Sequence, residues 1–426
     1  MDLTETEANI PATSKACYKC NTTIHSYLNS NAYSIICPKC GLLYNSYNGA
    51  LDKTTETINL PKEEPCIRIG KRGSINAIPY LVIGYVKKFE ANTTYYWDEY
   101  TLFNPIHGIA HLSEYNGHWT YLTELNAFPQ IAGQKLFYNE VEYQLYSRYK
   151  SKISCAQGEF PYRFSLAEQP NVEEYIMGTS MISKERTPDG ICWYKGQYIA
   201  PATIKEAFSL SEIPDKEGVG MLQPFLGKFS SESLKAVVII LAIFITLAQF
   251  YFDAVAKEEL AFKQSYFITD SLNKKEIYSQ VFELKHGLAN VEIKVATNII
   301  NNWMYTAITL VNEATGDLYN LDLEAEYYTG VDGGESWSEG ESWVSKVISQ
   351  VPEGKYFMII YPDKPTSMSS VNLDISVTRD VFILSNGLIA IAVLGIFPAF
   401  YFYRKERFEK KRWYNSNYSP YDDEDY

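Results

Sequence analysis

Ala236-Val-Val-Ile-Ile-Leu-Ala-Ile-Phe-Ile-Thr-Leu-Ala-Gln-Phe-Tyr-Phe252 is a run of 17 residues without a charge, a glycine or a proline. As a helix it rises about 1.5 Å per residue and reaches about 25 Å, enough to cross the hydrocarbon of a bilayer with its aromatic end at the interface. A second run, 381–403, has 23 uncharged residues. It ends Phe400-Tyr-Phe-Tyr403, an aromatic belt, followed by Arg404-Lys405. Pro398 can kink such a helix without breaking it. Neither run has a polar face, so neither suits a helix lying on a membrane surface. The competing reading of each is a buried core helix, and it is weaker for the longer run. Residues 236–252 and 381–403 are therefore expected to be two transmembrane helices.

Lysine and arginine set the orientation. Arg404, Lys405, Arg407, Lys410, Lys411 and Arg412 follow the second run, and only Arg379 closely precedes it. The C-terminus is expected in the cytosol, and two spans return the N-terminus to the same side. The seven cysteines agree: Cys17, Cys20, Cys37, Cys40, Cys66, Cys155 and Cys192 all precede the first run, as thiols in a reducing compartment would. Residues 253–380 are then extracytoplasmic. Residues 1–16 hold no apolar stretch of the kind a secretory signal needs.

The chain of 426 residues is 46% hydrophobic and carries a formal charge of -13. It can bury real cores, and its acidity argues against nucleic acid as a partner. Segment 253–380 holds 20 acidic and 10 basic residues, so most of the negative charge lies outside. The tail 404–426 is basic, then acidic, and the basic part is placed against anionic headgroups.

Cys17-Tyr-Lys-Cys20 and Cys37-Pro-Lys-Cys40 are two CxxC pairs with 16 residues between them. Each pair puts two thiolates on one tight turn, and four sulfurs around one ion make a closed tetrahedral zinc site. Residues 1–45 read as a zinc ribbon with structural zinc on Cys17, Cys20, Cys37 and Cys40. Redox dithiols and an iron–sulfur cluster are the alternatives. A closed site has no open position for catalysis, so the ribbon is expected to contact a cytosolic protein partner.

Residues 66–210 are rich in strand-like stretches, among them Tyr80-Leu-Val-Ile-Gly-Tyr-Val86. Asn116-Gly117 is a two-residue hairpin turn. Cys192-Trp-Tyr-Lys-Gly-Gln-Tyr-Ile199 echoes Glu114-Tyr-Asn-Gly-His-Trp-Thr-Tyr121, which suggests two copies of one small β unit. Ile204-Lys-Glu-Ala-Phe-Ser-Leu210 closes the domain as a short helix. Several of these stretches resemble a bacterial family, domain of unknown function 4178. They are Ile69-Gly-Lys-Arg-Gly-Ser74, Tyr80-Leu-Val-Ile-Gly-Tyr85, Trp97-Asp-Glu-Tyr100 and Leu112-Ser-Glu-Tyr-Asn-Gly-His-Trp119. Gly158-Glu-Phe-Pro161 and Trp193-Tyr-Lys-Gly-Gln-Tyr-Ile199 are similar to its second half. The resemblance implies a bacterial, membrane-linked accessory protein, hence the inner membrane. It implies no reaction and carries over no catalytic residue.

Chemistry-bearing residues in this stretch are His107, His111, His118, Asp98, Glu99, Glu114 and Glu185. Asp98 and Glu99 are neighbours on a strand and point to opposite faces, so they cannot act together on one substrate. The bland reading is that Trp97 and Tyr100 pack while both carboxylates are solvated. Cys155 and Cys192 read as inert thiols. No catalytic and no cofactor-binding residue is assigned.

Between the runs the pattern is again β: Asn290-Val-Glu-Ile-Lys-Val-Ala296 and Val371-Asn-Leu-Asp-Ile-Ser-Val377 alternate cleanly. Six to eight strands over 277–378 argue for a jelly-roll or immunoglobulin-like β-sandwich, with 253–276 a helical or irregular stalk. Asp332, Glu335, Glu339 and Glu341 surround Trp337 in a loop whose oxygens suit calcium and whose ring suits a sugar; a solvated acidic loop is the simpler reading. The fold class is thus a mainly β multidomain membrane protein. The function expected is that of a non-enzymatic membrane-anchored binding, adaptor or sensor protein with an unknown external ligand. The alternative is an enzyme with its site in 66–210.

Overall fold

The structure is a computed structural model that describes residues 12–28, 32–47, 50–187, 190–227 and 229–421. The polar start, 1–11, and the acidic end, 422–426, lie outside the described residues. Two compact units emerge: residues 1–228 with 401–426, and residues 229–400.

The first unit opens with the hairpin β1 (Thr13–Ala16) and β2 (Thr23–Ser26), then β3 (Ser34–Ile36), β4 (Leu42–Tyr47) and β5 (Ala50–Thr57). Next come β6 (Arg72–Ile75), β7 (Ile78–Glu90), β8 (Tyr96–Asn104), β9 (Gly108–Tyr115) and β10 (His118–Glu124). A small hairpin, β11 (Gln130–Ala132) and β12 (Lys135–Tyr138), leads into β13 (Val141–Phe160), β14 (Asn171–Met177), β15 (Ser180–Thr187) and β16 (Gly190–Ile199). The helix α1 (Pro201–Ala207) follows.

β7 to β10 form one four-strand meander and β13 to β16 another. The last strands pair, β10 with β16, and the first strands pair, β7 with β13. Eight antiparallel strands therefore close into a barrel. Two like meanders stand where two copies of one β unit were expected. The residue-level echo does not survive, because 114–121 turns at Asn116-Gly117 while 192–199 runs along β16.

Closure depends on the length of β13. Its first half pairs with β14, residues 151–158 pair with β7, and its last three residues pair with β3. Gly158 sits opposite Gly84 with φ 98°, and a Cβ there would lie 2.2 Å from the Ile83 carbonyl oxygen. Only glycine fits this crossing of backbones.

Alternation along the strands gives the barrel an apolar outside and a polar inside. Tyr100, Leu102, Ala110, Leu112 and Trp119 are fully buried on the outer face, under Ile67, Ile75, Ile204 and Phe208. Each such leucine, isoleucine or phenylalanine contributes about 1.5–3 kcal/mol relative to exposure. On the other meander Tyr143, Leu145, Tyr175, Ile182 and Trp193 are covered by Leu136 of β12. Trp97, Glu99, His111, Ser113, His118 and Thr120, at the intervening positions, face a cavity.

The N-terminal module stops one end of that interior. Its core of Cys17, Ile24, Leu28, Ile35, Cys37 and Tyr44 is continuous with Leu81, Ile83, Phe103 and Ile109. The β8–β9 ladder runs without a bulge, so Phe103 and Ile109 share the inward face of Glu99 and His111. Glu159 pins the module: its carboxylate accepts from Ser26 Oγ (2.8 Å), Tyr27 N (2.6 Å) and Leu28 N (3.3 Å).

The second unit holds α2 (Ser231–Val255), then β17 (Glu259–Thr269), β18 (Ile277–Tyr278), β19 (Phe282–Leu284), β20 (Ala289–Thr297) and β21 (Asn302–Asn312). β22 (Leu318–Asp332), β23 (Glu335–Glu341), β24 (Trp343–Val351), β25 (Gly354–Asp363) and β26 (Ser370–Arg379) complete its strands. α3 (Leu384–Trp413) begins here and ends in the first unit. One sheet has the order β17-β26-β20-β24; the other runs β25-β21-β22-β23, with β18 and β19 both on β25. Val291, Ile293, Leu373 and Ile375 of the first sheet share one core with Met304, Ile308, Met358 and Ile360 of the second. Residues 253–276 are not a helical or irregular stalk: β17 lies there and pairs along its length with β26, so this unit's strands run from 259 to 379.

α2 is capped by Ser230, whose hydroxyl accepts from Ser233 N. Both α2 and α3 are long and apolar enough to cross a membrane, and only 6% and 11% of their most apolar windows is buried. That exposure does not suit a core helix. Gln249 of α2 lies where a Cβ on Gly387 of α3 would stand, so a small residue lets the two helices meet. The second helix outlasts its apolar run by a full basic segment and reaches Trp413.

Candidate functional site

The two CxxC turns are built alike. In the first, Asn21 N donates to the Cys17 carbonyl and Cys17 N donates to the Thr22 carbonyl. In the second, Gly41 N donates to the Cys37 carbonyl and Cys37 N donates to the Leu42 carbonyl. Asn21 and Gly41 close the turns with φ of 58° and 70°. The four sulfurs lie within 4.8 Å of one another, with Cys17–Cys40 at 3.7 Å and Cys20–Cys37 at 3.5 Å. Sulfurs placed about 2.3 Å from one central ion would stand about 3.8 Å apart, so this donor set fits a tetrahedral metal. Tyr44, which sequence reasoning passed over, donates its hydroxyl to Cys17 Sγ (3.1 Å) and accepts from Tyr18 N. Burial opposes ionisation of Cys17, but the Tyr44 hydroxyl and the amides of the turn outweigh it and hold the thiol near 6. Burial pushes Cys37 up to about 12.

The barrel encloses a cavity of about 1010 Å³. Deep in it Lys88 Nζ lies 2.8 Å from Glu99 and 3.3 Å from Glu185. Trp97 Nε1 donates to Glu99 Oε1 (2.7 Å). Burial works against the Lys88 cation, yet Glu185 and Glu99 raise it well above the ordinary lysine range. Glu99 is held low, burial being outweighed by the Lys88 charge. Across the lumen Glu174 accepts from Ser147 Oγ (2.7 Å) and Tyr149 OH (3.1 Å). Burial nevertheless raises Glu174. His111 stands edge-on to Tyr194 at 5.7 Å between centroids, and burial lowers it to about 4.

The other end of the cavity is lined by 217–222 and by one face of α3: Arg407, Lys410, Lys411 and Tyr414. The spacing of three and four residues puts these on one stripe of the helix. The end of α3 is locked to the barrel. Arg412 is buried and donates to the carbonyls of Gly178 (2.6 Å), Met221 (3.1 Å) and Gln223 (2.7 Å). Trp413 packs on Tyr146, and Tyr146 OH donates to the Arg412 carbonyl. Arg412 is therefore not a membrane-facing cation, as the sequence reading of the basic tail had it.

Of the residues singled out from sequence, Cys17, Cys20, Cys37 and Cys40 come together. Asp98 and Glu99 do point apart: Asp98 meets Tyr85 and Lys87 on the outside, and Glu99 faces the lumen. Glu99 is not solvated as expected, since it is paired inside. His111, His118 and Glu185 converge with it on one cavity, and His107 and Glu114 do not line it. Lys88, Tyr149, Glu174 and Tyr194 were missed. Their signal was the alternation of polar residues at one strand parity, whose meaning needed the barrel to be closed. Asp332 and Glu335 pair across the β22–β23 turn and Glu339 and Glu341 follow along an exposed strand. Among the described residues these carboxylates form no converging group.

The low value of His111 has a consequence for stability. An unfolded histidine titrates near 6.5, so the unfolded chain takes this proton before the folded one does. Stability is fully present above about pH 6.5 and is lost as the pH falls towards 4. His118 is lowered by burial too and acts in the same sense. The thermal midpoint of the full protein in detergent should drop between pH 7 and pH 5, and the drop should shrink in His111→Gln. An equal drop in both proteins would contradict the burial argument.

No curated protein matches the chain. Among solved structures, that of infectious bursal disease virus Gt strain aligns at 9% identity over 82% of this chain and 65% of that one, with a TM-score of 0.19. The insecticidal delta-endotoxin Cry8Ea1 from Bacillus thuringiensis aligns at 8% identity over 70% of this chain and 52% of its own, with a TM-score of 0.15. The chain thus spans less than two thirds of either, and scores this low establish no shared fold. Residues 68–201, which contain every strand of the closed barrel, match the model of Domain of unknown function (DUF4178).

Proposed function

We propose that the protein is a membrane-anchored binding protein of the bacterial inner membrane, a sensor or adaptor rather than an enzyme. α2 and α3 span the bilayer, both termini are cytosolic, and residues from about 253 to 380 form an extracytoplasmic β-sandwich. The barrel binds a small polar ligand in the cytosol, and zinc on the four cysteines stabilises the ribbon that stops its far end. The carrying observation is a cavity of about 1010 Å³ whose mouth is lined by the end of the long apolar helix α3. A ligand there would touch the segment that leads to the bilayer. The Arg412 latch supports the topology as well: residues 401–421 and the barrel share one compact unit, which requires an even number of crossings between them.

The enzyme reading has one observation in its favour, the convergence of Lys88, Glu99, Glu185, Glu174 and His111. Their pairing argues against it. Lys88 is a well-stabilised cation, which makes it a poor base or nucleophile, and Glu99 is a well-stabilised anion, which makes it a poor acid.

Three measurements test the proposal. A library of small polar metabolites should contain members that raise the thermal midpoint of the full protein in detergent, and Ser113→Trp, which fills the lumen, should lose the effect. Hits that survive the filled lumen would place binding elsewhere. Metal analysis of the purified protein should find one zinc per chain, absent in Cys37→Ser; loss of metal should loosen the ribbon and leave the β-sandwich folded. A cysteine placed at Ser336 should react with an impermeant maleimide in intact spheroplasts, while the natural thiols stay unlabelled. Labelling of the natural thiols instead would invert the topology.

A further inference from the structure

We propose that the barrel lumen is a site for an organic cation, an ammonium-bearing small molecule with an apolar body. The inference rests on the binding reading above and names the class of ligand. Three carboxylates, Glu99, Glu185 and Glu174, lie deep in the cavity with a single interior ammonium, that of Lys88. Lys88 is already spent on two of them, at 2.8 and 3.3 Å. The interior histidines add no compensating charge, since burial lowers both His111 and His118. Inside the barrel, away from the α3 stripe, an anionic ligand would meet these carboxylates and only the already paired Lys88.

The walls suit a cation with an apolar body. Trp97 and Tyr149 stand edge to face at 5.5 Å between centroids, and Tyr162 and Tyr194 line the same space. Ring faces and carboxylates both attract an ammonium, and more strongly away from bulk water.

The basic stripe of α3 does not cancel this field. Arg407 and Lys411 are exposed at the mouth, where salt screens a charge within about 8 Å, and Lys410, less exposed, is paired with Glu406 at 3.4 Å. They set a boundary beyond which the cation is not held, so the site lies inside the barrel.

The full-length protein in detergent, titrated with choline and with spermidine, should show a saturable change in tryptophan fluorescence and a raised thermal midpoint. The uncharged carbon analogue of choline, 3,3-dimethylbutan-1-ol, should bind at least tenfold more weakly, a difference of about 1.4 kcal/mol or more. Inorganic phosphate should not bind. Glu174→Gln and Tyr194→Leu should each weaken the tighter cation about tenfold; an unchanged thermal midpoint without ligand certifies the fold of each variant. Equal binding of choline and its neutral analogue would overturn the cation class, and so would lumen binding of neutral or acidic library members but of neither cation. Both results leave the binding reading standing. If no cation and no library member binds, that reading and this inference fail together.

Discussion

Closing a sheet on itself creates an inside, and the pairing of β7 with β13 is the bond that does it here. Without it the two meanders would remain one open sheet with two long edges. With it, every residue of one strand parity faces a common space. Gly84 and Gly158 let the backbones approach at that seam, and β13 is long enough to leave β14, follow β7 and then join β3. The cysteine module depends on this pairing too, since it joins the sheet through the last three residues of β13 and through the Glu159 carboxylate.

Closure reverses the usual economy of a small β domain. The apolar residues sit outside the wall and need cover from other segments, which α1, residues 66–75 and β12 supply. The polar residues sit inside, where desolvation would be costly if they were unpaired. Lys88 with Glu99 and Glu185, and Glu174 with Ser147 and Tyr149, are how the interior meets that cost. A buried ion pair of this kind is weak as a source of stability, because desolvation consumes most of its Coulomb energy. On the proposed function it is a surface kept polar for a ligand.

This explains what the sequence could and could not disclose. The CxxC turns were legible because the ligand spacing is local: two residues between thiols dictate a turn whatever surrounds it. The apolar helices were legible because length and absence of charge are local too. Strand existence was also within reach, and Asp98 and Glu99 were correctly sent to opposite faces. Which face was interior was not, because burial of Glu99 depends on β7 meeting β13 across more than fifty residues of chain. The same gap made the polar parity look like a solvated face. Segment 253–276 misled for a related reason: β17 acquires its partner, β26, only after a hundred intervening residues.

The end of α3 gives the lumen a mechanical connection to the apolar part of that helix. Tyr146 lines the cavity, packs on Trp413, donates to the Arg412 carbonyl and accepts from Ser416 Oγ through its own carbonyl. Arg412 is buried with its guanidinium on three carbonyls, from Gly178 and from Met221 and Gln223 beside the cavity mouth. Freeing it would expose three carbonyls and an arginine at once, so it moves only with the segments it holds. A molecule entering the lumen meets Tyr146 and residues 217–222 on the way. Arg412 is bonded to that segment and is itself part of α3, a helix of 30 residues. A ligand acts on that helix only to the extent that it favours one arrangement of the latch over another. Under the proposed function, the latch is the place where binding in the barrel acquires a consequence for α3.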